Sequence, residues 1–377
     1  MAADELTKPL GLPAPPRRPR AVRAAALIFT AVTVAALTGT AALWFANRAG
    51  PTATATIKVP GPGEVSLADR TGSTTRPGVD EGSGIDEVEP QGGLVEIGKV
   101  VIHDLSEPPP MPLSAAPDGE LIEAGADGPL PKVASNGRRP LDAYARPSDA
   151  DSRDTRIAIV VGGVGIDPEG TARAIAELPG EVTLALVPYG DDLSRTLSEA
   201  RAAGHEILLQ VPLEPYNYPQ SDPGPQTLTT DASADENLSR LRWLMSRMTS
   251  YVGVVNYLGG RFTSETPALT PVLEEIGRRG LLYLDDGSSP RSVAETVAAG
   301  RAPFLKADLV LDADLSAAAI DRRLNELRMI ARERGYAIGT ATAFPIAIER
   351  IAAFARIAAD RNVTIVPLSA LAGAGRT

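Results

Sequence analysis

Two adjacent acids, Asp285 and Asp286, stand directly ahead of Gly287-Ser288-Ser289-Pro290. A helix cap needs one short acid, so a neighbouring pair points to a ligand or a cation. Either acid is a candidate catalytic group, because a carboxylate can serve as a general base or hold a hard metal ion. Other side chains of similar potential end apolar runs or open the loops after them: Gln210, Glu214, Asn256, Tyr257, Arg261, Ser289 and Asp312. These are ordinary hydrogen-bonding partners for a polar ligand. Asp285, Asp286 and Asp312 together offer the alternative of a divalent cation held by oxygen alone. Imidazoles are scarce: His103 and His205 are the only two, and there is no cysteine. Thiol catalysis, disulfides and Cys-ligated metals are therefore excluded. His205 follows Gly204 at the start of an apolar run and reads as a structural hydrogen-bonding residue. His103 lies in the Pro- and Gly-rich stretch that precedes residue 152 and is expected to be solvated. A net charge of −10 disfavours nucleic acid as a partner.

The elements that must position these residues alternate between strand and helix from residue 156 onward. Strand-like runs cover 157–165, 182–188, 205–212, 251–257, 280–287, one or two short pieces in 302–311, 336–343 and 363–371. Helical stretches lie between them, the first entered through Asp167-Pro168 and another capped near Ser233. Short apolar strands between helices imply parallel pairing with helices outside. Seven or eight such units in this length predict a distorted (β/α) barrel, with an open doubly wound sheet as the alternative. The carboxyl ends of its strands form the functional face. Arg261 and Asp285 then leave neighbouring strands and are expected to pair across the rim. Asp312 and Asp314 read as helix caps.

The first half of the chain has another character. Residues 1–23 are basic, with Lys8, Arg17, Arg18, Arg20 and Arg23. Residues 24–46 carry no charge, and 23 residues suffice to span a hydrocarbon core. The basic flank predicts a signal anchor in the inner membrane, with a cytoplasmic N-terminus and the rest of the chain in the periplasm; a cleaved signal peptide is the alternative. From residue 49 to 151 there are 17 acidic against 8 basic residues, and Pro and Gly contribute 14 each. That composition predicts a disordered tether over 47–152. Two islands interrupt it: 94–105, a candidate strand, and 121–147, with turns at Asp127-Gly128 and Asn136-Gly137. The second is either a linker fragment or an arm strapped onto the following domain, 153–377, by Leu141 and Tyr144.

The runs IAIVVGGVG, LPGEVTLALVPYG, AGHEILLQVPLEPYNYP, DPGPQTL, GVVNYLGGRFT, LLYLDDGSSPRS and AIGTATAFP resemble, in order, the strand motifs of the divergent polysaccharide deacetylase family. The island GPLP…GRRPLDAYARP resembles the arm preceding the barrel in alphaproteobacterial members. The resemblance implies a polysaccharide-deacetylase-like barrel, carbohydrate metabolism in the envelope and, for active relatives, metal-dependent hydrolysis of an N-acetyl amide. It also implies a metal pattern: an acidic pair after the first strand, histidines ending the third and fourth, and a Gly-His-Pro near the last helix. Those positions here hold Gly162 and Gly163, Gln210, Tyr257 and Thr342. Glu214, Asn256, Arg261, Asp285, Ser289, Arg291 and Asp312 match the motifs. The resulting expectation is a glycan-binding protein with an eroded metal site and no cofactor, whose partners are periplasmic glycan or peptidoglycan fragments. Two alternatives stand beside it. One is an active deacetylase holding a divalent cation through carboxylates. The other is a scaffold docking an envelope protein.

Overall fold

The computed structural model describes residues 111–372. The basic N-terminus, the apolar run 24–46, the island 94–105 and His103 lie outside the described residues.

A short arm comes first. Strands β1 (Ile122–Ala124) and β2 (Pro129–Pro131) pair antiparallel around a turn closed by Gly125 N donating to Gly128 O at 3.0 Å. Gly128 and Gly137 both adopt positive φ, which is why glycine occupies each turn. The four-residue helix α1 (Pro140–Ala143) follows.

The barrel then alternates strand and helix. In chain order these are β3 (Arg156–Val164), α2 (Pro168–Glu177), β4 (Thr183–Leu186), α3 (Leu193–Ala202), β5 (Ile207–Leu213) and α4 (Ala234–Met245). They continue through β6 (Gly253–Leu258), α5 (Thr266–Arg278), β7 (Leu282–Asp285), α6 (Ala294–Ala298), β8 (Phe304–Lys306) and β9 (Leu309–Val310). The last are α7 (Ala317–Arg334), β10 (Tyr336–Thr342), α8 (Pro345–Arg356) and β11 (Thr364–Ile365). Caps start several helices. Asp167 Oδ2 accepts from Gly170 N at 2.6 Å, and Ser233 Oγ accepts from Glu236 N at 3.2 Å. Ser316, rather than Asp314, caps α7; Asp314 instead accepts from Ser316 N in a turn one step earlier. Gly335, left-handed at φ 86°, ends α7 directly before β10.

Nine strands form one parallel sheet in the order β8-β7-β6-β5-β4-β3-β10-β9, with β11 pairing the first residues of β3. The two edges of that order are consecutive in the chain. Ala307 N donates to Asp285 O beside β7, and the next amide, Asp308 N, donates to Ile338 O on β10. One segment therefore links both edges of a sheet that curls into a (β/α) half-barrel, and β8 and β9 do not pair with each other. The sequence overextended two strands. The run 280–287 pairs only over 282–285, since Asp286 and Gly287 already turn. In 363–371 two residues pair before the chain coils into a 3-10 turn at Leu368–Leu371.

Alternation along each strand separates two cores. Ile157, Ile159, Leu184, Leu209, Val254 and Tyr283 pack against the helices. Ala158, Val160, Leu208, Val255, Leu284 and Ile338 fill the interior. Leu121, Leu141 and Tyr144 of the arm belong to that interior cluster and are almost fully buried. Each such side chain contributes roughly 1.5–3 kcal/mol of burial, which explains why this part of a Pro- and Gly-rich stretch is ordered. Polar ties support it. Arg201 Nη1 donates to Tyr144 O at 2.7 Å, Arg279 Nη1 to Pro131 O at 2.6 Å, and Asp118 N to the Tyr144 hydroxyl at 3.0 Å. The arm is thus the floor of the barrel, at the amino ends of its strands.

Candidate functional site

Strand parity decides what faces the opposite, carboxyl-terminal mouth. Leu282 and Leu284 are interior and Tyr283 is helix-facing, so the alternation carries Asp286 inward and Asp285 outward. Asp285 is 1% exposed. Its Oδ1 accepts from Gly287 N at 2.9 Å, and its Oδ2 accepts from the Ser292 hydroxyl. The residue folds the loop after β7 and does not stand at the centre of the mouth. Asp286 is half-buried. Burial pushes its carboxyl above the usual range, against the hydrogen bonds from Ser288 N and Oγ at 2.9 and 2.7 Å that favour the ion.

The expected Arg261–Asp285 pair is replaced by another. Arg261 Nη1 donates to Glu214 Oε1 at 2.7 Å, with Asp231 as a second partner at 3.4 Å. Glu214 is buried, and its Oε2 accepts from Thr230 N and Oγ1 at 2.5 and 2.8 Å. Arg261 N and Phe262 N also donate to Glu214 O. Glu214 and Arg261 therefore staple the loops after β5 and β6 together. Leu258 and Gly259 take φ of 57° and 95° to bring Arg261 back over Glu214. The positive φ of Leu258 is unusual for a side chain of that bulk. Asn256 is likewise internal: Nδ2 donates to Leu258 O at 2.7 Å, and Oδ1 accepts from Asp286 N at 2.9 Å. It positions Asp286. Asp312 is not a cap either; its Oδ2 accepts from Thr342 N at 2.7 Å, tying the ends of β9 and β10.

Gln210 occupies the middle of the mouth. Its Oε1 accepts from Gly163 N at 2.7 Å, and its Nε2 lies above Gly162, where a Cβ would come within 2.6 Å of it. The glycine at 162 and the amide at 210 thus fill one space between them. Thr340 Oγ1 donates to Asp286 O at 3.2 Å. Tyr257 is exposed at the end of β6, Arg291 is exposed beyond β7, and Ser289 is buried with its hydroxyl unpartnered among the described residues. Sequence reasoning passed over Tyr216 and Phe344. Both are exposed aromatics in loops that leave the carboxyl ends of β5 and β10, and the signal was their place directly after a strand, in EPYNYP and AFP.

His205 sits at the other end. It is buried, with Nδ1 2.8 Å from Val182 O and Nε2 3.3 Å from Ile175 O, and burial lowers its pKa. This is the structural role its position suggested. Two concavities lie away from the mouth. Clefts of about 560 and 490 Å³ open at the amino-terminal face, one beside Thr155, Glu181 and Asn362, the other between the arm and Ser369.

A catalytic zinc or similar ion needs three converging donors. Among the described residues no three His, Asp or Glu side chains converge. Gln210 and Thr342 are neutral, both oxygens of Asp285 are engaged, and one oxygen of Asp312 is taken by Thr342 N. The donor set does not fit a metal centre of the kind the strand-end pattern implies.

A curled (β/α) barrel with a polar carboxyl-terminal mouth and these strand motifs belongs to a known class. Residues 159–372, more than half of the chain, match the divergent polysaccharide deacetylase family, and the chain is a member of it. Two relatives are YibQ of Escherichia coli K12 and a protein of Haemophilus influenzae Rd, both described as uncharacterized. They are 24% identical over 194 residues and 25% identical over 185 residues, covering 51% and 49% of this chain. The matches span 60% and 65% of those relatives' own lengths. The fold is also similar to the crystal structure of an uncharacterized protein from Agrobacterium tumefaciens C58. That protein is 48% identical, with a TM-score of 0.64, and the match covers 65% of this chain and 99% of that one.

Proposed function

We propose that this protein binds glycan at the carboxyl-terminal mouth of its barrel, from an inner-membrane anchor formed by residues 24–46, and does not hydrolyse it by a metal-dependent route. The observation that carries the reading is the composition of the mouth. Gln210, Thr342, Tyr257 and Asp286 offer amide, hydroxyl and carboxylate groups to sugar hydroxyls, and the exposed rings of Tyr216, Tyr257 and Phe344 surround them. Apolar faces with a few placed polar groups are what carbohydrate rings need. The glycines at 162 and 163 remove the first carboxylates that a metal would require.

The test is calorimetric titration of the full chain, in detergent, with N-acetylated chitooligosaccharides, alongside metal analysis and an acetate-release assay. Binding without acetate release, and without one zinc per chain after dialysis, is the expected result. Stoichiometric zinc with acetate release would replace this reading by an active deacetylase. Absence of binding would move an envelope scaffold to first place. Cell fractionation tests the anchor: a soluble chain trimmed near Ala46 would make residues 24–46 a signal peptide.

A further inference from the structure

The loops after β5, β6 and β7 meet at one edge of the mouth and build a shelf. Tyr216 is 53% exposed, and its ring lies against Gly260, where a Cβ would fall 3.0 Å from Cε2. Glycine at 260 is therefore what lets the ring lie down. The same Cβ would be 3.8 Å from Ser289 Oγ, the buried hydroxyl without a partner among the described residues. The Arg291 guanidinium carbon sits 5.6 Å from the centroid of the Tyr216 ring. Within the same mouth, Arg261 is neutralised by Glu214 and Asp231. Arg291 is exposed and has no carboxylate partner among the described residues.

An uncompensated guanidinium held over an aromatic ring is positioned to take a negatively charged group. A planar fork also suits a carboxylate in particular, since it binds both oxygens. Asp286 and Asp312 line the rest of the mouth, so a polyanion would meet repulsion there while a neutral chain would not. The geometry points to a glycan with one acidic sugar among neutral ones, its carboxylate on Arg291, whose guanidinium is held in place by the Tyr216 ring beneath it. This rests on the glycan-binding reading and adds the charge of the ligand to it.

The probes are chitotetraose and the same tetrasaccharide with one residue oxidised at C6 to a uronate, titrated into the full chain. The expected result is that the acidic probe binds roughly tenfold more tightly, the size of a charge-assisted contact at an exposed edge. Added salt should shrink the ratio, because the contact is screened. Arg291→Gln should bring the ratio to about one, and Arg291→Lys should restore part of it. Circular dichroism on each variant checks that the fold persists, as expected for an exposed side chain. Equal affinity of the wild-type chain for both probes would overturn the inference and leave glycan binding standing. A ratio that survives in Arg291→Gln would overturn the assignment to this arginine. Failure of both probes to bind would overturn both readings.

Discussion

The two ends of the barrel handle polar groups in opposite ways. At the floor, Glu206 is fully buried, and burial pushes its carboxyl up. Its two oxygens nevertheless accept from Ser369 N at 3.0 Å, the Ser369 hydroxyl, Arg146 N at 3.2 Å and Thr183 Oγ1 at 3.4 Å. Arg201 is buried beside it and bonded to carbonyls of the arm. Both Glu206 oxygens and the Arg201 Nε and Nη1 are turned on other parts of the chain. At the mouth, Gln210 uses one end of its amide, Tyr257 and Arg291 face outward, and burial holds the Asp286 pKa up, against the hydrogen bonds from Ser288. The difference teaches where stability and binding capacity have been separated. Closed networks rigidify, and partly satisfied ones wait for a partner.

The strongest way to break this contrast is to cut the floor. Tyr144→Ala removes a buried ring together with the hydroxyl that accepts from Asp118 N, and should cost about 3–5 kcal/mol in denaturant unfolding. Glu206→Ala strands the amides of Ser369 and Arg146 and should cost about 3 kcal/mol by the same measurement. An effect below about 1 kcal/mol for either would mean the arm is not part of the folding unit.

At the mouth, smaller effects are expected. Gly162→Ala would force Gln210 off Gly163 N, at a cost of about 1–2 kcal/mol. Gln210→Ala should cost about 1 kcal/mol by leaving the same amide bare. The double variant should cost less than the sum, because the clash vanishes with the amide. Strict additivity would separate the two positions.

The smallest effect sharpens the comparison through pH. Asp286 binds its proton more tightly in the folded chain than the ordinary aspartate value of 3.8 allows in the unfolded one. Its ionisation therefore lowers stability as pH rises from about 3.8 through the raised folded value. The difference in Tm between Asp286→Asn and wild type should grow in favour of the variant across that window and then level. Glu275 behaves in the opposite sense. Burial raises it, but hydrogen bonds from Arg242, Arg278 and Arg279 outweigh burial and hold it at about 2. Its contribution is lost as pH falls from the ordinary 4.5 through about 2. A flat Tm difference for Asp286→Asn would remove the case for a strained carboxylate at the mouth.

Much of the barrel was legible because short apolar runs between helices leave few alternatives. Asp167 and Ser233 announced their helices, and Leu141 and Tyr144 stood out as apolar anchors in a polar stretch. The site was harder. Asp285 and Asp286 are adjacent acids of one type, and only the register of β7 tells which points inward. The partner of Arg261 lies 47 positions away, at Glu214, on a loop whose path no periodicity records. Asp312 and Asp314 have the composition of caps, yet one ties β9 to β10 and the other precedes the true cap at Ser316. Local rules name what a side chain can do; long-range pairing decides what it does.

The glycine at 162 carries a consequence for any rebuilding of the mouth. An acid there and the present amide at 210 would claim the same few cubic ångströms. A carboxylate placed at 162 alone meets Gln210, and a change of Gln210 alone bares Gly163 N. The two positions therefore behave as one unit, in which a side chain is gained on one side only as it is given up on the other.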